Sequence, residues 1–186
     1  MADVAGYKRS ARLPVEGSLI RLRDVELADA EVVDWLNDQK EDGGFNDFGL
    51  PNMPTPRDAL ARGPLRNEYN GTLLIERLNG EPVGTVQWRP VHYGPPNDSR
   101  AWNIGIELRP SARGQGLGSE AQRLLADWLL AATDANRVEA QTDIENVAEQ
   151  RSLEKAGYTR EGVTRGSQFR LGDYHDLVMY SRIRSD

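Results

Sequence analysis

Residues 102–128, WNIGIELRPSARGQGLGSEAQRLLADW, decide the fold. They read as strand, glycine-rich turn and amphipathic helix, in that order. The centre is Arg113, Gly114, Gln115, Gly116, Leu117 and Gly118. Three alternate glycines let backbone N–H groups approach a ligand without Cβ obstruction, and the helix that follows aims its positive dipole end at the same place. An anion site is expected there. Leu117, Ala121, Leu124, Leu125, Trp128, Leu129 and Ala132 fall on one helical stripe, with the charges Glu120, Arg123 and Asp127 off it. That stripe reads as core.

A glycine repeat also opens dinucleotide-binding folds, but there the first glycine directly follows a strand, and an acidic residue lies about twenty residues on. Here Arg113 heads the run, Pro110 precedes it and more than a hundred residues lie upstream. No Gly-Lys-Ser/Thr follows, so the P-loop is excluded. The turn resembles the Arg/Gln-x-x-Gly-x-Gly/Ala turn of the GNAT acetyltransferase superfamily, which holds the pyrophosphate of coenzyme A. Residues 146–158, NVAEQRSLEKAGY, resemble that superfamily's second signature, an Asn opening a helix that closes on Glu-Lys-x-Gly-Phe/Tyr. Residues 168–182 resemble the closing segment of the RimJ/RimL branch, which holds ribosomal-protein N-terminal acetyltransferases and small-molecule-modifying relatives.

Composition sets wider bounds. A length of 186 residues, with 38% hydrophobic and 28% charged, fits one globular domain, and no apolar run reaches the roughly 18 residues of a membrane span. No signal peptide is evident, so a cytoplasmic protein without a membrane partner is expected. There is no cysteine, which excludes disulfides, a cysteine nucleophile and thiolate metal sites. His92 and His175 are the only histidines, so no metal is expected. The net charge of −6 argues against a nucleic-acid partner and weakly favours a cationic substrate.

Along the chain, residues 1–16 mix charge, Pro and Gly without period and read as a loose tail before a single domain at 17–186. A strand is expected at 19–23 and a helix at 28–37. Residues 38–54 form a turn-rich loop carrying Asp38, Glu41, Asp42, Asp47, Phe45 and Phe48, long enough to raise a functional question. Thr55 and Pro56 restart helix as cap and first helical residue. Residues 71–78 and 82–89 flank Asn79-Gly80, a hairpin signal, and 91–99 connect to a strand at 101–109. A strand at 137–142, a helix at 146–156 and strands at 158–165 and 175–182 complete the order β-α-α-β-β-β-α-β-α-β-β. The fold class is α/β with a mixed sheet, matching the superfamily's splayed central parallel strands.

The resemblance then implies site residues. Acetyl-CoA is the implied co-substrate. Its pantetheine arm would bond the strand edge at Ile106 and Leu108, its phosphates would lie on Arg113, Gly114, Gln115, Gly116, Leu117, Gly118 and Ser119, and Asn146 and Arg151 would meet pantetheine and nucleotide. Acetyl transfer needs a neutral amine and a stabilised leaving thiolate. Glu107 is the preferred base, on the strand face opposite Ile104, Ile106 and Leu108. A solvated carboxylate is the plainer reading, and a water chain could also carry the proton. The acid is harder to place. Many relatives carry Tyr where this chain has Leu153, and branch relatives carry Ser where it has Glu149. Glu149 could bind a substrate cation, bond pantetheine when protonated, or be a surface charge, and Ser152 is a weak substitute. Acceptor contacts are sought among Phe45, Phe48, Trp88, His92, Tyr93, Tyr174 and His175, with Trp88 favoured as core. The function expected is transfer of an acetyl group to a primary amine of a small molecule by direct attack. A protein N-terminus, or a non-catalytic acyl-CoA-binding module, is the alternative. A monomer or homodimer fits either.

Overall fold

The computed structural model describes residues 12–37, 44–48 and 57–186, with backbone only at 35–37. Asp38, Glu41, Asp42 and the Thr55–Pro56 cap lie outside the described residues. Eight strands form one mixed sheet in the order β1-β2-β3-β4-β5-β6-β8-β7. They are β1 (Val15–Glu16), β2 (Ile20–Asp24), β3 (Gly71–Arg77), β4 (Pro82–His92), β5 (Arg100–Leu108), β6 (Arg137–Asp143), β7 (Thr159–Arg170) and β8 (Asp173–Ile183). Helices α1 (Ala30–Asn37) and α2 (Arg57–Leu60) follow β2, α3 (Leu117–Ala132) joins β5 to β6, and α4 (Val147–Lys155) joins β6 to β7.

Every residue of the α3 stripe is buried, and Leu117, Leu125 and Leu129 pack with Trp102, Val138 and Tyr180 in the main core. Trp128 meets Trp88 edge-on, with ring centroids 5.4 Å apart. A smaller cluster of Val25, Ala30, Val33, Leu60 and Leu74 seats α1 and α2. The order of elements matches the sequence reading with four corrections. Val15–Glu16, read as tail, pairs antiparallel with Arg21 and Leu22 as an extra edge strand. β4 runs on through Pro90 to His92, which is in register with Arg100, because β5 offers a partner as far as that residue. β7 and β8 are longer than expected and meet in a two-residue turn at Leu171 and Gly172, with φ of 51° and 93°. Glu120, read as a charge off the core, is buried and accepts from the backbone N–H groups of Ser18, Leu19 and Ile20 and from the Ser18 hydroxyl. Burial pulls its carboxyl upward, but those hydrogen bonds prevail and hold it below the ordinary carboxylate range.

Candidate active site

β5 and β6 are parallel and stay in register only at Trp102, Asn103 and Ile104 against Val138, Glu139 and Ala140. Beyond Ile104 the two strands part. Asn103 Nδ2 lies 3.5 Å from Glu139 Oε1, so odd-numbered residues of both strands share one face. Extending the register by three residues sets Glu107 and Asp143 on that face, on opposite walls of the opening. Ile106 and Leu108 point the other way, toward α3.

On the α3 side lies the glycine turn. Gly114 and Gly116 have φ of 74° and 82°, a left-handed backbone that a side chain would strain, and Gly116 is the N-cap of α3. Among the described residues no backbone N–H from Gly114 to Ser119 donates to the chain itself, leaving a row of donors at a 16-residue helix start. A Cβ on Gly118 would lie 3.3 Å from Leu108 Cδ1 and 3.4 Å from Ser152 Oγ, so the turn closes tightly on β5 and α4 and a side chain there would make those two neighbours shift. Leu117 contributes only its N–H, since its side chain is core. Arg113 is exposed and its Nε donates to Leu108 O at 3.1 Å. Gln115 donates to Ser111 O at 2.6 Å and accepts from Arg77 at 2.7 Å. Arg77 was not anticipated. It arrives because the β3–β4 hairpin ends beside the turn, where Arg109 N donates to Val83 O at 2.9 Å. The cradle, its cation and the unpaired stretch of β5 fit a phosphate-bearing acyl carrier.

α4 closes this side. Asn146 caps it, its Oδ1 accepting from Glu149 N at 3.2 Å, so that oxygen is committed to the helix. Arg151 is exposed and Leu153 is wholly buried core. Ser119, Ser152, Gln122 and Glu149 form a polar chain between α3 and α4. The two hydroxyls are 3.2 Å apart, Ser152 donates to Gln122 Oε1 at 3.3 Å, and Gln122 Nε2 donates to Glu149. Burial pushes the Glu149 carboxyl up to about 7, against the opposing hydrogen bond from Gln122. It therefore keeps its proton at pH values where an ordinary glutamate has lost it.

On the opposite face, Glu107 accepts from Asn46 Nδ2 at 2.6 Å and lies 4.0 Å from the Arg113 guanidinium. The facing wall is a buried cluster. Asp143 binds Arg170 at 2.5 Å and His175 Nδ1 at 3.1 Å, and the Arg170 guanidinium lies 5.1 Å from the centre of the Phe45 ring. The remaining acceptor candidates scatter. Phe48 is exposed on the same loop segment. Trp88 is 2% exposed and belongs to the core, out of an acceptor's reach. His92 is paired with Arg100, seven residues before Glu107, so it lies ~23 Å along the strand at about 3.3 Å per residue. Tyr93 follows it, donating to Glu139 at 2.6 Å. Tyr174 is exposed at the β7–β8 turn against Phe169, with ring centroids 5.2 Å apart. Asn46, Asp143 and Arg170 were missed. Asp143 and Arg170 are 27 residues apart and meet only through strand order, a contact that no local pattern carries.

Residues 20–159 match the model of the acetyltransferase (GNAT) domain. The chain belongs to the GNAT acetyltransferase family. It is 37% identical over 181 residues to the probable N-acetyltransferase YjcK of Bacillus subtilis, covering 92% of this chain and 98% of that one. Among solved structures, the ribosomal-protein-S5-alanine acetyltransferase of Vibrio fischeri superposes with a TM-score of 0.75 at 17% identity, over 94% of this chain and 98% of that one. The microcin C7 self-immunity acetyltransferase MccE, solved with acetyl-CoA and AMP, superposes with a TM-score of 0.71 at 19% identity, over 90% and 93%. The protein is thus an acetyl-CoA-dependent N-acetyltransferase. Among the described residues no cluster of His, Asp or Glu is arranged to hold a metal, and no helix is long and apolar enough to cross a membrane.

Proposed function

We propose that this acetyltransferase acts on a primary amine of a small molecule, by direct attack in a ternary complex. The observation that carries the acceptor reading is that Phe45 and Asn46 touch both walls of the strand opening, one at Arg170 and the other at Glu107. A mouth spanned in this way favours a compact acceptor over an extended peptide. A protein N-terminus remains the second reading, favoured by the likeness to the ribosomal-protein acetyltransferase.

Acetyl-CoA supplies an acetyl group activated as a thioester. The free N–H groups of residues 114–119 would hold its diphosphate, with Arg77 and Arg113 adding charge. The base has real work, because an aliphatic ammonium with pKa near 10 is only about a thousandth neutral at pH 7. The Glu107 carboxylate takes that proton on the acceptor side of β5. Glu149, on the α3 side, gives one to the leaving sulfur and is held by Gln122 for that purpose. No cysteine is available for an acyl-enzyme, which fits direct transfer.

Thiol release from acetyl-CoA, measured against polyamines, amino-acid amides, aminoglycosides and peptides beginning with Ala or Ser, tests the acceptor class. Small amines turning over faster than peptides supports the proposal, and the reverse order replaces it with the second reading. Glu107→Gln is expected to lower turnover at least about 100-fold, the usual range for a lost general base, with coenzyme A affinity unchanged in calorimetry. A wild-type pH profile in that variant would remove Glu107 as base.

A further inference from the structure

Glu107 is not presented to the cleft by its strand alone. Residues 44–48 contain a tight turn closed by Asp47 N donating to Gly44 O at 3.0 Å, which places Phe45 and Asn46 at its two central positions. Their side chains part company there. Asn46 Nδ2 donates to Glu107 Oε2 at 2.6 Å and lies 3.4 Å from Ile106 O, so it touches both the carboxylate and the backbone of the strand that bears it. Phe45 covers the guanidinium of Arg170, which is itself fixed by the buried Asp143. One turn therefore connects the two walls where β5 and β6 have separated.

We propose that Asn46 is a positioning residue for the acyl transfer, holding the Glu107 carboxylate toward the cleft through its side-chain amide while Phe45 anchors the turn to the opposite wall through Arg170. The proposal rests on the reading of Glu107 as base. An amide donor to a carboxylate favours its charged form and restricts its rotamers, so Asn46 keeps Glu107 ionised and aimed at an incoming ammonium. Among the described residues, the charges named at this opening are Arg113 from the glycine turn, Asp47 in the same loop turn, and the Asp143, Arg170 and His175 group on the facing wall. All of them are retained in the variants below, so they cancel in the comparison.

The test reads Glu107 directly. Protein labelled with 13C at the glutamate side-chain carboxyls is titrated by NMR, with Glu107→Gln assigning the resonance. Loss of the donor in Asn46→Ala should raise the Glu107 midpoint by about half to one pH unit, and the like charge in Asn46→Asp should raise it by more than one. Asn and Asp serve equally well in such a turn, so the turn survives in the Asp variant, and an Asn46 whose side chain does not face Glu107 would leave the midpoint unchanged in both variants. The acidic limb of kcat/KM, measured with the best amine of the panel, should move by the same amount, with coenzyme A affinity unaltered. Phe45→Ala should raise KM for that amine and shift the midpoint in the direction of Asn46→Ala. Unmoved midpoints in both Asn46 variants, while turnover still requires Glu107, would overturn the role of Asn46 alone. Turnover that survives Glu107→Gln would overturn the base assignment, and the catalytic part of this proposal with it.

Discussion

Glu149→Gln separates two consequences of a single buried carboxyl. In the folded protein Glu149 holds its proton up to about pH 7, against an ordinary value of 4.5. The folded state binds that proton more tightly than the unfolded chain does. The contribution is therefore complete below about pH 4.5 and is lost as pH rises through about 7. The interval between 4.5 and about 7, at about 1.36 kcal/mol per pH unit, sets an upper bound of about 3 kcal/mol. Glu149 keeps some contact with water, which screens the penalty and brings the expected figure to about 1–3 kcal/mol. Glutamine has the same shape, still accepts from Gln122 and cannot ionise. Urea denaturation of both proteins near pH 4 and near pH 8.5 should give similar stabilities at the lower pH and a variant more stable by that amount at the higher. Parallel curves would refute the argument, because a carboxyl that ionises freely has no such dependence. The same variant should lose the basic limb of the kcat profile and turn over more slowly near pH 6, which a purely structural carboxyl would not produce.

The remaining predictions concern the cradle and the facing wall. Gly116→Glu should weaken coenzyme A binding at least about 100-fold in calorimetry, by placing a carboxylate among the donors at a helix N-terminus, while Gly116→Ala should show only the cost of a left-handed backbone, about 1–2 kcal/mol of stability. Equal affinities in the two variants would mean that no diphosphate sits there. Asp143→Asn should destabilise the fold by about 3–5 kcal/mol in urea titration, since it leaves buried Arg170 without its anion. A loss below about 1 kcal/mol would show that the cluster is screened by solvent.

What was legible in the chain was local. The turn at residues 113–118, the helix behind it and the strand before it sit within one short stretch, so periodicity and glycine placement define them together. Glu107 could be set on a face by alternation alone. What escaped was carried by chain segments far apart in sequence. Glu120 looked like a solvated helix charge because its partners, Ser18 to Ile20, lie about a hundred residues away. Trp88, favoured as core from the sequence, is core, and its packing partner Trp128 could not be read from its own strand. Asn46 sat in a loop where several polar residues had equal claim, and strand β1 is too short at two residues to leave a pattern. The β7–β8 turn carries Leu171 at φ 51° in place of an Asn-Gly pair, so it announced nothing.

The clamp of Glu120 on residues 18–20 bears on how this protein can be cut. Trimming it to begin at Leu22 would delete all four donors and leave a buried carboxylate with Arg123, 3.8 Å away, as its remaining partner, two residues past the glycine turn. The first visible damage would then be poor grip on coenzyme A, far along the chain from the missing amino terminus. Shortened versions of this enzyme should be judged by ligand affinity as well as by yield.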